Sequence, residues 1–95
     1  MREEKYAEIE NYLSKSIPNW GIEQKSDFDL CAQAFKVHVE KGFLLLKVSD
    51  RFVDDNDIPS IVQQFDKWGL PALLAKNSNS TILVNNEGIN ILRRY

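Results

Sequence analysis

Cysteine is nearly absent from this chain. Cys31 stands alone, so no internal disulfide can staple the fold, and that usage suits a reducing compartment such as the cytoplasm. Long apolar runs are missing too. None approaches the ~20 residues that span a bilayer. The opening MREEKYAEIE is charged and helical in pattern, without the apolar segment that directs secretion. Together these absences predict a cytoplasmic protein with no membrane partner. The four glycines stand singly, so no glycine-rich loop is present to cradle a phosphate, and no serine lies in a nucleophile elbow. Positive charge is not in surplus: 12 Lys and Arg against 14 Asp and Glu give a formal charge of −2. General binding to nucleic-acid backbones needs clustered cations, and Arg93, Arg94 and Tyr95 make too small a cluster to supply them.

Two tempting chemistries fail on spacing. Cys31 and His38 are the only residues of their types. Seven positions along an extended segment separate them by about 23 Å, whereas a thiol–imidazole dyad needs contact at about 3 Å. Cys31 therefore reads as a small buried apolar group and His38 as a surface residue. The acidic run DRFVDDND at 50–57 invites a calcium loop, which requires Gly at its sixth position and Glu at its twelfth. Counting from Asp50 gives Asp55 and Ile61; counting from Asp54 gives Pro59 and Phe65. Neither frame fits. The aspartates read instead as helix-capping and dipole-facing groups, or as an acidic rim. No metal, cofactor or catalytic residue is expected.

What the sequence does contain is alternation. Phe35, Val37 and Val39 alternate with Lys36, His38 and Glu40, the period of a strand. Glu40, Lys41 and Gly42 break the pattern. Glu and Lys resist positive φ, so the expected link is a three-residue loop with Gly42 as a left-handed bulge. That register sets Val39 opposite Phe43, Val37 opposite Leu45 and Phe35 opposite Lys47 as the core face. The second face then pairs His38 with Leu44 and Lys36 with Leu46, and places Lys36 and Lys47 on opposite sides. A slip of one residue would exchange the two faces.

Taken in order, 2–16 reads as an amphipathic helix carrying Tyr6, Ile9 and Leu13 on one stripe, stopped by Pro18. Residues 19–27 read as a loop, with Trp20 plugging the core. From Phe28 the chain reads as extended, with a phase switch near Ala34 that suggests a bulge. Asp57 is a good N-cap for a helix through Pro59, Ile61, Val62, Phe65 and Trp68, with Gly69 as its left-handed end and Pro71 preventing resumption. Residues 72–76 read as a short helix or a short strand; the Asn/Ser cluster ahead of Thr-Ile-Leu-Val tips the reading toward strand. The last hairpin, 81–84 with 89–93, repeats the earlier turn grammar at Asn86, Glu87 and Gly88, setting Leu83 opposite Ile91 and Ile82 opposite Leu92.

The whole predicts a single α+β domain over 1–95: a mostly antiparallel sheet of four to five strands with two helices on one face, in the order α-β-β-α-(β)-β-β. The open second face and the aspartates suggest a small non-enzymatic protein-interaction module, with an inhibitor or immunity-type role against a basic target as one form of it. His38, Leu44, Leu46, Asp50, Asp54 and Asp55 are the candidate contact residues, for a protein partner or for self-association through the sheet face. The alternative is a small-ligand or enzymatic pocket between helices and sheet, near Tyr6, Tyr12, Trp20 and Trp68.

Overall fold

The computed structural model describes residues 2–93; Arg94 and Tyr95 of the basic cluster lie outside them. Helix α1 runs Arg2–Ser16, followed by strands β1 (Gly21–Asp27), β2 (Ala32–Val39) and β3 (Gly42–Ser49). Helices α2 (Asp50–Asp55), α3 (Ile58–Trp68) and α4 (Leu70–Lys76) lead to β4 (Ser80–Asn85) and β5 (Gly88–Arg93). The fold is α+β, with a five-stranded sheet in the order β1-β2-β3-β4-β5. Every neighbouring pair is antiparallel except β3 and β4. Parallel neighbours cannot be joined by a tight turn and need a crossover; α2, α3 and α4 together form it.

Local chemistry explains the helices. The α1 helix ends where Pro18 forbids continuation, and Asn19 Nδ2 donates to the Ile17 carbonyl at 2.7 Å, satisfying an otherwise orphaned acceptor. At the start of α2, Ser49 Oγ accepts from Phe52 N at 3.0 Å. At α3, Asp57 Oδ1 accepts from Ser60 N at 3.0 Å, as its N-cap position predicts. Gly69 closes α3 in the left-handed region, with φ 62° and ψ 43°. Helix resumes immediately at Leu70, so Pro71 does not end the helical region; it occupies the first turn of α4, where its missing N–H is harmless. Residues 72–76 are therefore helical, contrary to the strand preference. An Asn/Ser cluster serves a helix exit as well as a hairpin: Asn77 Nδ2 donates to the Leu73 carbonyl at 2.9 Å.

The first hairpin was not expected. Residues 21–27 form β1 rather than a loop, and the chain turns through Phe28, Asp29, Leu30 and Cys31. Asp27 Oδ1 accepts from Leu30 N at 3.1 Å, and Cys31 takes φ 49°. The phase switch reflects this turn, not a bulge at Ala34. Phe28 and Leu30 are accordingly exposed at 88% and 42%, and Cys31 is exposed rather than buried. Trp20 is 76% exposed and plugs nothing.

Register decides the rest. Val39 pairs with Gly42, so Val37 pairs with Leu44 and Phe35 with Leu46. The loop has two residues, Glu40 and Lys41, and neither adopts positive φ; Gly42 takes φ +140° while remaining in the ladder. The last hairpin does the same, with Asn85 pairing Gly88 at φ +121°. Ile82 therefore faces Ile91, and Leu83 faces Asn90. In both hairpins the glycine is the first residue of the returning strand, one position away from the bulge expected of it.

The consequence is a core of Phe35, Val37, Leu44, Leu46, Val48, Ile82 and Val84 from one face of the sheet. It meets Ile9 and Leu13 of α1, Phe52 and Val53 of α2, Ile61 and Phe65 of α3, and Leu70 and Leu74 of α4. Leu44 and Leu46 are 4% and 0% exposed, so they belong to this core and not to a second face. Replacing Leu46 with Ala should cost about 2–5 kcal/mol, the transfer and cavity cost of a buried leucine. The double variant Leu44→Glu, Leu46→Glu should fail to fold in circular dichroism and urea titration; a folded double variant would contradict the burial.

Candidate functional site

The sheet face turned away from the core is built by the alternate residues of each strand. One row crosses all five strands: Glu23, Lys36, Leu45, Thr81 and Leu92. The next is Lys25, Ala34, Lys47, Leu83 and Asn90. At one end, His38 pairs with Phe43. The face is graded, charged over β1 and β2 and apolar toward β4 and β5. Phe43 and Leu92 are exposed at 37% and 38%, Leu45 and Leu83 are half-buried, and Thr81 is closed over by its neighbours.

Several of its polar side chains are paired. Glu23 Oε2 lies 2.7 Å from His38 Nε2, and this hydrogen bond holds the Glu23 carboxyl below its ordinary pKa. Lys47 Nζ meets Asp27 Oδ2 at 2.5 Å. The lysine, followed by the Leu30 amide, lowers the Asp27 pKa. Lys36 Nζ sits 4.3 Å above the Phe43 ring centroid, a cation–π contact. Lys36 and Lys47 thus share a face, correcting the earlier register. Beyond them the β1–β2 turn raises Phe28 over an open groove of about 410 Å³ lined by Lys25, Asp27, Ala34, Leu45 and Lys47.

The other candidate residues do structural work. Arg2 grips Asp54 with two hydrogen bonds of 2.8 and 2.7 Å and approaches Asp50 at 3.7 Å. The Tyr6 hydroxyl donates to Asp50 Oδ1 at 2.8 Å. Asp55 Oδ2 accepts from Asn86 Nδ2 at 2.7 Å, tying α2 to the β4–β5 turn. Asp50, Asp54 and Asp55 therefore join α2 to its neighbours instead of forming a free acidic rim. Of the six candidate contact residues, only His38 lies on the open face. Phe43, Leu45, Leu83 and Leu92 were missed, although the same alternation moved by one residue would have displayed them.

The aromatic residues expected around an internal pocket do not converge. Tyr12 packs on Phe65 at 5.5 Å between centroids, Trp68 on Phe52 at 6.1 Å and Tyr6 on Phe35 at 6.3 Å, while Trp20 points into solvent. Cys31 ends the turn just ahead of β2 and His38 lies near the far end of that strand. Among the described residues, no three His, Cys, Asp or Glu side chains are grouped to hold a metal ion, and no helix is long and apolar enough to cross a membrane. Compared with protein-family models, curated proteins and solved structures, the chain gives no match.

These pairings set the pH response. The carboxyls of Glu23, Asp27, Asp54 and Asp57 are all held below their ordinary values; the Arg2 hydrogen bond is the main cause for Asp54 and the Ser60 hydrogen bonds for Asp57. In acid the unfolded chain binds more protons than the folded one, so their stabilisation is present above the ordinary carboxyl range and is lost as pH falls through the lowered values. Tyr6 and Tyr12 shift the opposite way. Burial, then hydrogen bonds to Asp50 and Asp66, push both from 10.0 up to about 12. Their contribution is complete below pH 10 and disappears between 10 and 12. Urea titrations across pH should show Arg2→Ala flattening the acid limb and Tyr6→Phe with Tyr12→Phe flattening the alkaline limb. Unchanged limbs would contradict these pairings.

Proposed function

We propose that the chain is a non-enzymatic cytoplasmic protein-interaction module that docks through its open sheet face. One observation carries the reading: Phe43, Leu45, Leu83 and Leu92 bring partly exposed apolar side chains to one face of the sheet, with Lys36 lying over the Phe43 ring and the Glu23–His38 and Lys47–Asp27 pairs at the border. Apolar anchors within a polar rim are the usual anatomy of a protein–protein contact. Phe28, raised beside the strip, adds a second aromatic anchor.

The nature of the face narrows the partner. It holds Lys25, Lys36 and Lys47 against Glu23 and Asp27, so it is not an acidic surface, and the aspartates of α2 are occupied within the chain. An inhibitor-like role would thus rest on shape and apolar contact, not on attraction to a basic target. A small-ligand role keeps one foothold, the groove beneath Phe28.

The test is comparative capture by crosslinking from the native cytoplasm. Phe43→Glu with Leu45→Lys should lose the specific partner while keeping the circular dichroism spectrum and urea midpoint close to those of the parent. Lys67→Glu, on the exposed side of α3, should retain it. Capture that survives the face variant, or is lost equally with Lys67→Glu, would overturn the proposal.

A further inference from the structure

The two edges of the sheet are unlike. Strand β1 presents Glu23, Gln24, Lys25 and Asp27, the charged edge by which proteins discourage strand pairing. Strand β5 reads Gly-Ile-Asn-Ile-Leu-Arg, with Ile91 51% and Leu92 38% exposed and no charge until Arg93. An edge of this kind accepts another strand by main-chain hydrogen bonding.

The residues along β5 identify the strand that fits. Asn90 is the centre of a palindrome: Ile89 and Ile91 flank it, and Glu87 and Arg93 stand three positions to either side. In an antiparallel pair of identical strands centred on Asn90, Ile89 faces Ile91 of the second copy, and Asn90 faces Asn90. At each end Glu87 meets Arg93. This register also keeps side chains on matching faces: Ile89 and Ile91 continue the core-side rows that end on Val84 and Ile82, and the amide of Asn90 can both donate to and accept from its counterpart. A parallel pair in register would instead stack like charges. Neither Glu87 nor Arg93 has an ion-pair partner among the described residues.

We propose that β5 is a homodimer edge, pairing antiparallel with β5 of a second copy about a two-fold axis at Asn90 to give a continuous ten-stranded sheet. The charged β1 edges terminate it, so assembly closes at two copies. Strand pairing over six residues is small beside the roughly 1,200 Å² of a standard interface, which places the dimer in the weak, concentration-dependent range. The proposal does not rest on the open-face reading: of that strip only Leu92 lies on β5, and Phe43 and Leu45, on β3, lie away from this edge.

Analytical ultracentrifugation over a concentration series is the test, paired with amide hydrogen exchange. The parent chain should reach twice its 11.0 kDa mass at high concentration, with added protection confined to β5. Glu87→Arg or Arg93→Glu alone should weaken self-association roughly tenfold, since each change turns two attractions into repulsions. The double variant, or an equimolar mixture of the two single variants, should restore it. Charge at these exposed positions can be changed without entering the core, so folding is preserved and is checked by circular dichroism. A chain that stays monomeric at NMR concentrations would overturn the proposal. So would a dimer indifferent to the single charge reversals, one not restored by the double variant, or one protected on Phe43 and Leu45 in place of β5.

Discussion

Everything in this fold depends on which residue faces which across β2 and β3. Side chains alternate along a strand with period two, so a shift of one position exchanges the buried and open faces completely. Val39 opposite Gly42 sends Phe35, Val37, Leu44, Leu46 and Val48 inward. It sends Lys36, His38, Phe43, Leu45 and Lys47 outward. Gly42 allows this because it holds φ +140° within the ladder, a conformation L side chains rarely adopt. Glu40 and Lys41 can then turn the chain without entering positive φ. Gly88 solves the same problem in the second hairpin.

Once that register is set, the helices have one surface to cover. The parallel pairing of β3 with β4 obliges the chain to leave the sheet at Ser49 and return at Ser80. The intervening segment covers the buried face with Phe52, Val53, Ile61, Phe65, Leu70 and Leu74. Around this apolar contact lie polar fastenings: Arg2 with Asp54, Tyr6 with Asp50, Tyr12 with Asp66 and Asn86 with Asp55. Exposed pairs contribute little individually, and their effect is positional, holding α1 to α2 and α3, and α2 to the last turn. The acidity of the α2 segment is thereby absorbed into the architecture.

The helices were legible because their signals are local. Heptad-like spacing and a following Pro18 placed α1, while Asp57, Pro59 and Gly69 bracketed α3 with hydrogen bonds that involve residues only a few positions away. The class of fold followed from those helices and two glycine-terminated hairpins. The strands were harder, because their faces are set by a partner far along the chain. An apolar run such as Phe43-Leu44-Leu45-Leu46 shows no alternation of its own, so nothing within it says which leucines are buried. Leu44 and Leu46 consequently changed places with Phe43 and Leu45. Strand β1 was hidden for a different reason: Gly-Ile-Glu-Gln-Lys-Ser-Asp at an edge buries almost nothing, and its polar composition resembles a loop. The open face was therefore anticipated as a feature, and so were its β2 residues His38, Lys36 and Ala34, but not the residues that β3 places beside them.

The most direct measurement is the pattern of interstrand proton contacts between β2 and β3 by nuclear magnetic resonance. The fold predicts close Hα–Hα contacts at alternate positions within the pairing that joins Val37 to Leu44 and Lys36 to Leu45. Contacts joining Val37 to Leu45 and Phe35 to Lys47 would contradict it, turning Leu44 and Leu46 outward and removing Phe43 and Leu45 from the open face.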